Sequence, residues 1–237
     1  MLDLDTLITT YDFDQDDVLK QQFVQIEKDL LQQIKEYGKE FGNYGEVLYA
    51  HLMRTSQLNK ALLSKLRFSD MACNNLYHAN FLHDLGKTHA DYDPQIWQTQ
   101  GRPTEDEGTE KRLHTQRGNE LFDQAIPDDL QDHPHIQLVR ALQLYHHERL
   151  NGFGYENLPA SQQGLVLQSV CLIDAYDGDR IHRPHQPRAR TVEEALDRLC
   201  HDKKYEDGFA PDMLSVFREL ILSPSHAKTF ECNHLQP

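Results

Sequence analysis

Residue types that bind metal ions recur along this chain. They are His51, the adjacent His83-Asp84 in "HDLGK", His114 in "HTQRG", the pair His146-His147 in "LYHHERLNGFGYE", and Asp174 in "DAYDG". Imidazole and carboxylate donors without thiolates suit iron, manganese, nickel or zinc. Each residue alone has an ordinary explanation. His51 shares a helical face with Val47, Leu58 and Leu62, where a single histidine is usually a core residue with a hydrogen-bond partner. His83 ends a stripe of Leu76, Ala79, Leu82 and Leu85, with Gly86 placed to cap a helix, so its imidazole could complement the helix dipole. Asp84 opposes that reading, because a carboxylate at a helix C-terminus is unfavourable without a nearby cation.

His114 stands in line with Gly118, Leu121 and Ala125 and beside Glu110 and Arg112; alone, a surface position suits it. Gly118 costs a helix about 1 kcal/mol relative to alanine, which marks a close approach by another backbone or a ligand. His146 joins the stripe of Leu138, Leu142 and Tyr145. His147 is turned about 100° from it, so the pair would spread across a wide polar centre. Asp174 lies on the stripe of Leu167, Val170 and Cys171, an expensive place for an unpaired carboxylate, and Asp177 follows one turn later. Five histidines and two aspartates on inward faces of separate segments are costly to bury singly. One polynuclear metal centre satisfies them together, and seven ligands exceed the need of a single tetrahedral ion. Two metals sharing a carboxylate is the natural solution, with Asp84 as the bridge.

The elements that must position these groups are helices. Apolar residues repeat at helical spacing in "VLKQQFVQIEKDLLQQI" and "EVLYAHLMRTSQLNKALLSKL". Further helices are predicted around 69–85, 104–125, 135–149, 161–177, 191–203 and 211–222, separated by turn chemistry such as "DYDP", "QGRP", "AIPDD", "NGFG" and "HRPHQP". Strand-like alternation is absent apart from short extended pieces. The expected fold class is all-α: an N-terminal helical extension over 1–43, a helical bundle carrying the site over 44–225, and a tail over 226–237. The "DFDQDD" stretch alternates aspartates like a calcium loop, but Asp17 and Phe23 stand where the loop needs glycine and glutamate. Acidic residues introducing a helix explain it better.

At 237 residues, with 38% hydrophobic and 26% charged residues, the chain can bury one sizeable core. The net charge of −14 argues against a partner such as long nucleic acid gripped by a basic face. A small phosphorylated substrate stays compatible, because bound cations can dominate the local field. No apolar run reaches the roughly 18–20 residues that span a bilayer, and the start of the chain is acidic where a secretion signal would be basic. Cys73, Cys171, Cys200 and Cys232 show no paired spacing, so a reducing cytoplasm is expected. Most of the fourteen histidines, His226 and His234 among them, read as a solvent-exposed surplus.

Taken in order from about His51 to Arg183, these segments resemble the HD-domain metal-dependent phosphohydrolases, and within them the HD-GYP cyclic-dinucleotide phosphodiesterases. The isolated His51, "HDLGK", "HTQRG", "HHERLNGFGY" and "DAYDG" carry the likeness. It implies an HD-type helical bundle with His51, His83, Asp84, His114, His146, His147 and Asp174 as metal ligands. It implies that Lys87 contacts substrate phosphate, and the "DGDRIHRP" run nominates Arg180 and Arg183 for a phosphate-proximal loop. Asn151 and Glu156 depart from the family's aspartate and proline, so the motif reads "NGFGYE". Where members with three metals carry a glutamate, this chain has Val47, with Glu46 one residue away, so two metals are expected. A gap-free match of the last loop would select Cys171 in place of Asp174; keeping the carboxylate favours Asp174.

The expected function is hydrolysis of a cyclic dinucleotide, foremost cyclic di-GMP, by a cytoplasmic bacterial phosphodiesterase with two divalent ions per chain, iron or manganese. A bridging hydroxide would attack phosphorus, while the metals and Lys87 neutralise the growing charge. Neither long nucleic acid nor a membrane is expected as partner, and a homodimer is allowed. Three rivals stand beside this expectation: an HD phosphohydrolase of another nucleotide, a di-iron oxygenase on the same scaffold, and a degenerate module that binds a nucleotide without cleaving it. The complete ligand set disfavours the last.

Overall fold

The apolar repeat at the start of the chain builds helices that close over the rest of the bundle. In the computed structural model, residues 3–39, 42–98, 104–182, 188–203 and 205–223 are described. Among them the regular elements are all helical: α1 (Leu4–Leu7), α2 (Val24–Glu36), α3 (Tyr44–Lys65), α4 (Asp70–Ala79), α5 (Glu105–Ala125), α6 (Pro134–Tyr145), α7 (Leu165–Arg180), α8 (Val192–His201) and α9 (Pro211–Leu222). The all-α expectation holds.

Helix α7 has no polar stripe. Val166, Leu167 and every residue from Ser169 to Asp177 are buried, which makes it the central helix. Helix α3 packs along it, α6 also contacts it, and α4 fits between α3 and α6. Leu52, Leu62, Leu76, Leu82, Val139, Leu142 and Ile173 are wholly buried between them. Each such side chain contributes roughly 1.5–3 kcal/mol on leaving water.

The N-terminal segment is tied into this core rather than laid loosely upon it. Asp5 accepts hydrogen bonds from the backbone N–H groups of Leu165 (2.8 Å) and Val166 (2.8 Å), supplying from α1 the cap that Gly164 cannot give α7. Tyr37, at the end of α2, donates to the carbonyls of His89 (3.3 Å) and Tyr92 (3.1 Å), which fastens the chain just beyond "HDLGK".

Two predicted helices end early, and both ends carry site residues. The element expected over 69–85 stops at Ala79 and continues as 3-10 turns, Asn80–Leu82 and Leu85–Thr88, with His83 and Asp84 between them. The Asn80 carbonyl receives the His83 Nδ1–H (2.9 Å) instead of continuing an α-helical ladder. Its amide donates to Thr55 (3.1 Å) and Ser56 (3.2 Å) of α3. Gly86 is therefore no helix cap; its φ is not among the positive values found at Gly38, Gly42 and Gly152. It is glycine because a Cβ there would strike the His114 carbonyl and the Gly118 nitrogen of α5. The close backbone approach expected at Gly118 is this one: its own Cβ would lie 3.3 Å from the Gly86 nitrogen. The helix expected over 135–149 stops at Tyr145, leaving His146 as its C-terminal cap and His147 beyond.

Candidate metal centre

Four segments deliver imidazoles to one buried aspartate. His51 comes from the middle of α3, His83 from the turn after α4, His114 from α5, and His146 and His147 from the end of α6. One oxygen of Asp84, Oδ1, lies 3.2 Å from His114 Nε2 and 3.2 Å from His146 Nε2. The other, Oδ2, lies 3.5 Å from His51 Nε2 and 3.7 Å from His83 Nε2. Asp174, from α7, adds its Oδ1 to the second group, 3.3 Å from His51 and 3.8 Å from His83. Its Oδ2 lies 3.2 Å from His147 Nδ1. Two four-residue groups able to hold a metal ion result, Asp84–His114–His146–His147 and His51–His83–Asp84–Asp174, and Asp84 belongs to both. Ligands about 2.0–2.2 Å from a shared ion stand roughly 3–3.5 Å apart, so most of these spacings suit coordination.

Hydrogen bonds on the far side of three of the rings decide which nitrogen faces inward. His83 Nδ1 meets the Asn80 carbonyl (2.9 Å), His114 Nδ1 the Lys111 carbonyl, and His146 Nδ1 the carbonyls of Leu142 (2.9 Å) and Gln143 (3.0 Å). A carbonyl only accepts, so Nδ1 carries the proton and Nε2 presents a lone pair. His114 Nε2 and His146 Nε2 then face each other at 3.2 Å with Asp84 Oδ1 equally near. Three acceptors crowded together repel unless a cation lies among them. His51 Nε2, His83 Nε2, His147 Nε2 and Asp84 Oδ1 are buried and make no hydrogen bond, a costly state that metal ligation removes. The donor set therefore fits divalent metal.

His51 is oriented differently, by a carboxylate. Its Nδ1 lies 2.7 Å from Asp177 Oδ2, and Arg54 grips both oxygens of Asp177 at 2.8 Å each. This is the arrangement in which an outer carboxylate fixes a ligating imidazole and raises its basicity. Sequence reasoning noted Asp177 without assigning it this task and missed Arg54; the signal available was their placement one turn after Asp174 and His51.

Electrostatics follow from the same geometry. Burial would lower the basicity of His51, but Asp174, Asp177 and Asp84 outweigh it and raise its pKa to about 10. Burial lowers His114 to about 4 against the opposing pull of Asp84, and it carries His147 well below the usual range. Burial would raise Asp84, yet Lys87 and the surrounding histidines hold it well below the ordinary carboxylate range. The Lys87 ammonium bonds Asp84 Oδ2, and burial, which would discharge it, is outweighed by Asp84 and Asp174. At neutral pH the Asp84 carboxylate is therefore charged and the His114 and His147 rings neutral, the forms a cation would need.

The remaining candidates fall as follows. Asp174 reaches the centre and Cys171 does not: its thiol is turned to the Tyr145 carbonyl at 3.3 Å, and burial pushes it up to about 12. Arg180 donates to the Tyr176 hydroxyl (3.2 Å), one turn back on α7, with its guanidinium over that ring, and Tyr176 is buried against Phe217. Arg183 lies outside the described residues. Glu46 is exposed and belongs to neither candidate metal group, and Val47 offers no oxygen. Tyr155 closes one side of the centre, its ring centroid 4.4 Å from that of His147. Its loop is pinned by Glu148, a buried carboxylate accepting from the backbone of Glu156 (2.8 Å) and Leu158 (2.6 Å).

Comparisons with known proteins agree with this architecture. The HD domain profile matches residues 48–179. A cyclic di-GMP phosphodiesterase of Pseudomonas aeruginosa is 29% identical over 177 residues, 74% of this chain and 40% of that protein. The chain thus spans well under half the length of this curated relative. Among solved structures, an HDG"Y"P protein from Bdellovibrio bacteriovorus superposes with a TM-score of 0.59 at 17% identity, over 93% of this chain and 77% of that one. The HD domain of the L. monocytogenes phosphodiesterase PgpH superposes at 0.52 and 17% identity, over 81% of this chain and 94% of its own. These two likenesses concern the fold.

Proposed function

The chain belongs to the HD domain family, and from that premise we propose that it is a metal-dependent phosphodiesterase that hydrolyses a cyclic dinucleotide, foremost cyclic di-GMP. The observation that carries the proposal is Asp84, whose two oxygens face two separate sets of imidazole nitrogens. The proposed ligands are His51, His83, Asp84 and Asp174 for one divalent ion, and Asp84, His114, His146 and His147 for the other, with iron or manganese as the metals. Two such ions supply Lewis acidity and a water of lowered pKa. Lys87, held charged beside Asp84, faces the same centre and is suited to neutralise charge on a non-bridging phosphate oxygen. Asp177 and Arg54 hold His51 in position. No helix among the described residues is long and apolar enough to cross a membrane. The curated relative's activity on cyclic di-GMP favours that substrate over other nucleotides.

The test is a hydrolysis screen with protein purified without oxygen and loaded with Fe²⁺ or Mn²⁺, using cyclic di-GMP, other cyclic dinucleotides, cyclic mononucleotides and linear nucleotides. The expected result is metal-dependent conversion of cyclic di-GMP to a linear dinucleotide or mononucleotide. Turnover confined to linear or mononucleotide substrates, or oxygen consumption without phosphodiester cleavage, would overturn the proposal.

A further inference from the structure

Among the described large hydrophobic side chains Phe153 is the most exposed, at 78%. It sits in the "NGFGYE" loop, and that loop is held firmly. Gly152 adopts φ +78°, and the Asn151 side chain accepts from the Phe153 N–H (3.1 Å) while donating to the Glu206 carbonyl (2.6 Å). A Cβ on Gly154 would strike the Glu148 carboxylate, so the chain runs directly against that buried anchor. Two residues after Phe153, the Tyr155 ring packs on His147. Two residues span at most about 7 Å, so the Phe153 backbone lies within that reach of the backbone of Tyr155, the residue that covers one side of the centre. The same side carries exposed Arg112, whose guanidinium lies 6.0 Å from the Tyr155 ring centroid.

We propose that Phe153 is a stacking platform for a nucleobase of the substrate, the base attached to the phosphodiester held at the metal centre. This rests on the phosphodiesterase reading above and names a part of substrate recognition it leaves open. A nucleoside flanking a phosphate at the centre and leaving on the Tyr155 side meets this loop, where an exposed aromatic ring stands on a hydrogen-bonded backbone. Stacking on such a face is tolerant of base identity. Phe153 is thus a specificity-determining residue for base-bearing phosphodiesters.

The kinetic test compares Phe153→Ala and Phe153→Trp with the unmodified protein on cyclic di-GMP. Phe153→Ala is expected to raise KM roughly ten-fold with kcat changed less than about three-fold, and Phe153→Trp to restore KM. Leu222→Ala, at an exposed leucine of α9, serves as the control and is expected to leave KM unaltered. A binding test needs no turnover. Trp97 is the sole tryptophan, so Phe153→Trp in a Trp97→Phe background gives one reporter at the loop. Its emission is expected to be quenched by cyclic di-GMP and by GMP but not by ribose 5-phosphate, which has no base. Equal quenching by ribose 5-phosphate, or none by any nucleotide, would overturn the inference. So would an unaltered KM in Phe153→Ala, including a variant whose only change is oligomeric state. Failure of the unmodified protein to hydrolyse any cyclic dinucleotide would instead sink the phosphodiesterase reading, and the quenching test would still judge the loop.

Discussion

The two ends of α6 carry buried histidines in unlike surroundings. At its start, His135 Nδ1 pairs with the Tyr11 hydroxyl (3.0 Å), and the rings of Tyr11, Phe13 and Phe23 surround it at centroid distances of 5.5, 4.7 and 4.9 Å. At its end, His146 meets a carboxylate oxygen and a second imidazole nitrogen, both at 3.2 Å. Both regions leave a buried ring nitrogen or its neighbour without a hydrogen bond, Nε2 at His135 and Asp84 Oδ1 beside His146. No carboxylate lies within ion-pair distance of His135 among the described residues. Burial of an imidazole therefore does not make a metal site. Convergence of several unprotonated nitrogens on a shared carboxylate is what makes a group able to hold one.

If that distinction is right, substitutions at the two ends of α6 must separate cleanly. The largest effect is expected for Asp84→Ala, which removes the carboxylate common to both groups. Both metals and all measurable hydrolysis should be lost while circular dichroism still reports the helices; near-normal metal content would break the comparison. Next comes the single-sided group. Asp174→Asn should lose the ion nearest His51 and His83, and Cys171→Ser should keep both, as read by metal analysis of the purified variants. Smaller still is Asp177→Asn, which leaves every ligand in place but frees the His51 ring. Metal affinity should fall roughly 10–100-fold, the range typical of such outer partners, and an unchanged affinity would show that Arg54 and Asp177 serve packing alone.

The least effect on metal belongs to His135→Phe, and there the informative quantity is acid stability. Burial holds His135 well below its ordinary pKa, so the folded state keeps it neutral where the unfolded chain takes up a proton. Stability from this group is complete above about pH 6.5 and is lost as pH falls below it, by up to about 1.4 kcal/mol per pH unit. Denaturant unfolding at pH 7.5 and 5.5 should show a smaller acid loss in His135→Phe than in the unmodified protein, with metal content equal in both. An equal acid loss would place the sensitivity elsewhere.

Part of this centre was legible in the chain because some of its residues share the spacing of apolar helical stripes, where an unpaired polar group is anomalous. His51, His146 and Asp174 were visible in that way, Asp84 as a carboxylate ill placed at a predicted helix end, while His114 alone suited the surface; Gly118 announced the backbone contact with Gly86. What stayed hidden depended on where helices stop. Periodicity carried the helices through His83 and His147, whereas side-chain demand for backbone carbonyls ends them at Ala79 and Tyr145. The role of Gly86 was misjudged for the same reason, since a helix cap and a close backbone contact look alike in sequence. His135, not singled out in the sequence, is buried, and its spacing to Leu138 and Leu142 matches the buried face of α6.

The central claim, a pair of ions bridged by Asp84, is tested most directly by titrating metal-free protein with Mn²⁺ and recording its electron paramagnetic resonance spectrum. Two ions per chain with an exchange-coupled spectrum, unaltered by Glu46→Ala, are predicted. One ion per chain, two ions with the spectrum of isolated Mn²⁺, or a third ion lost in Glu46→Ala would contradict the account.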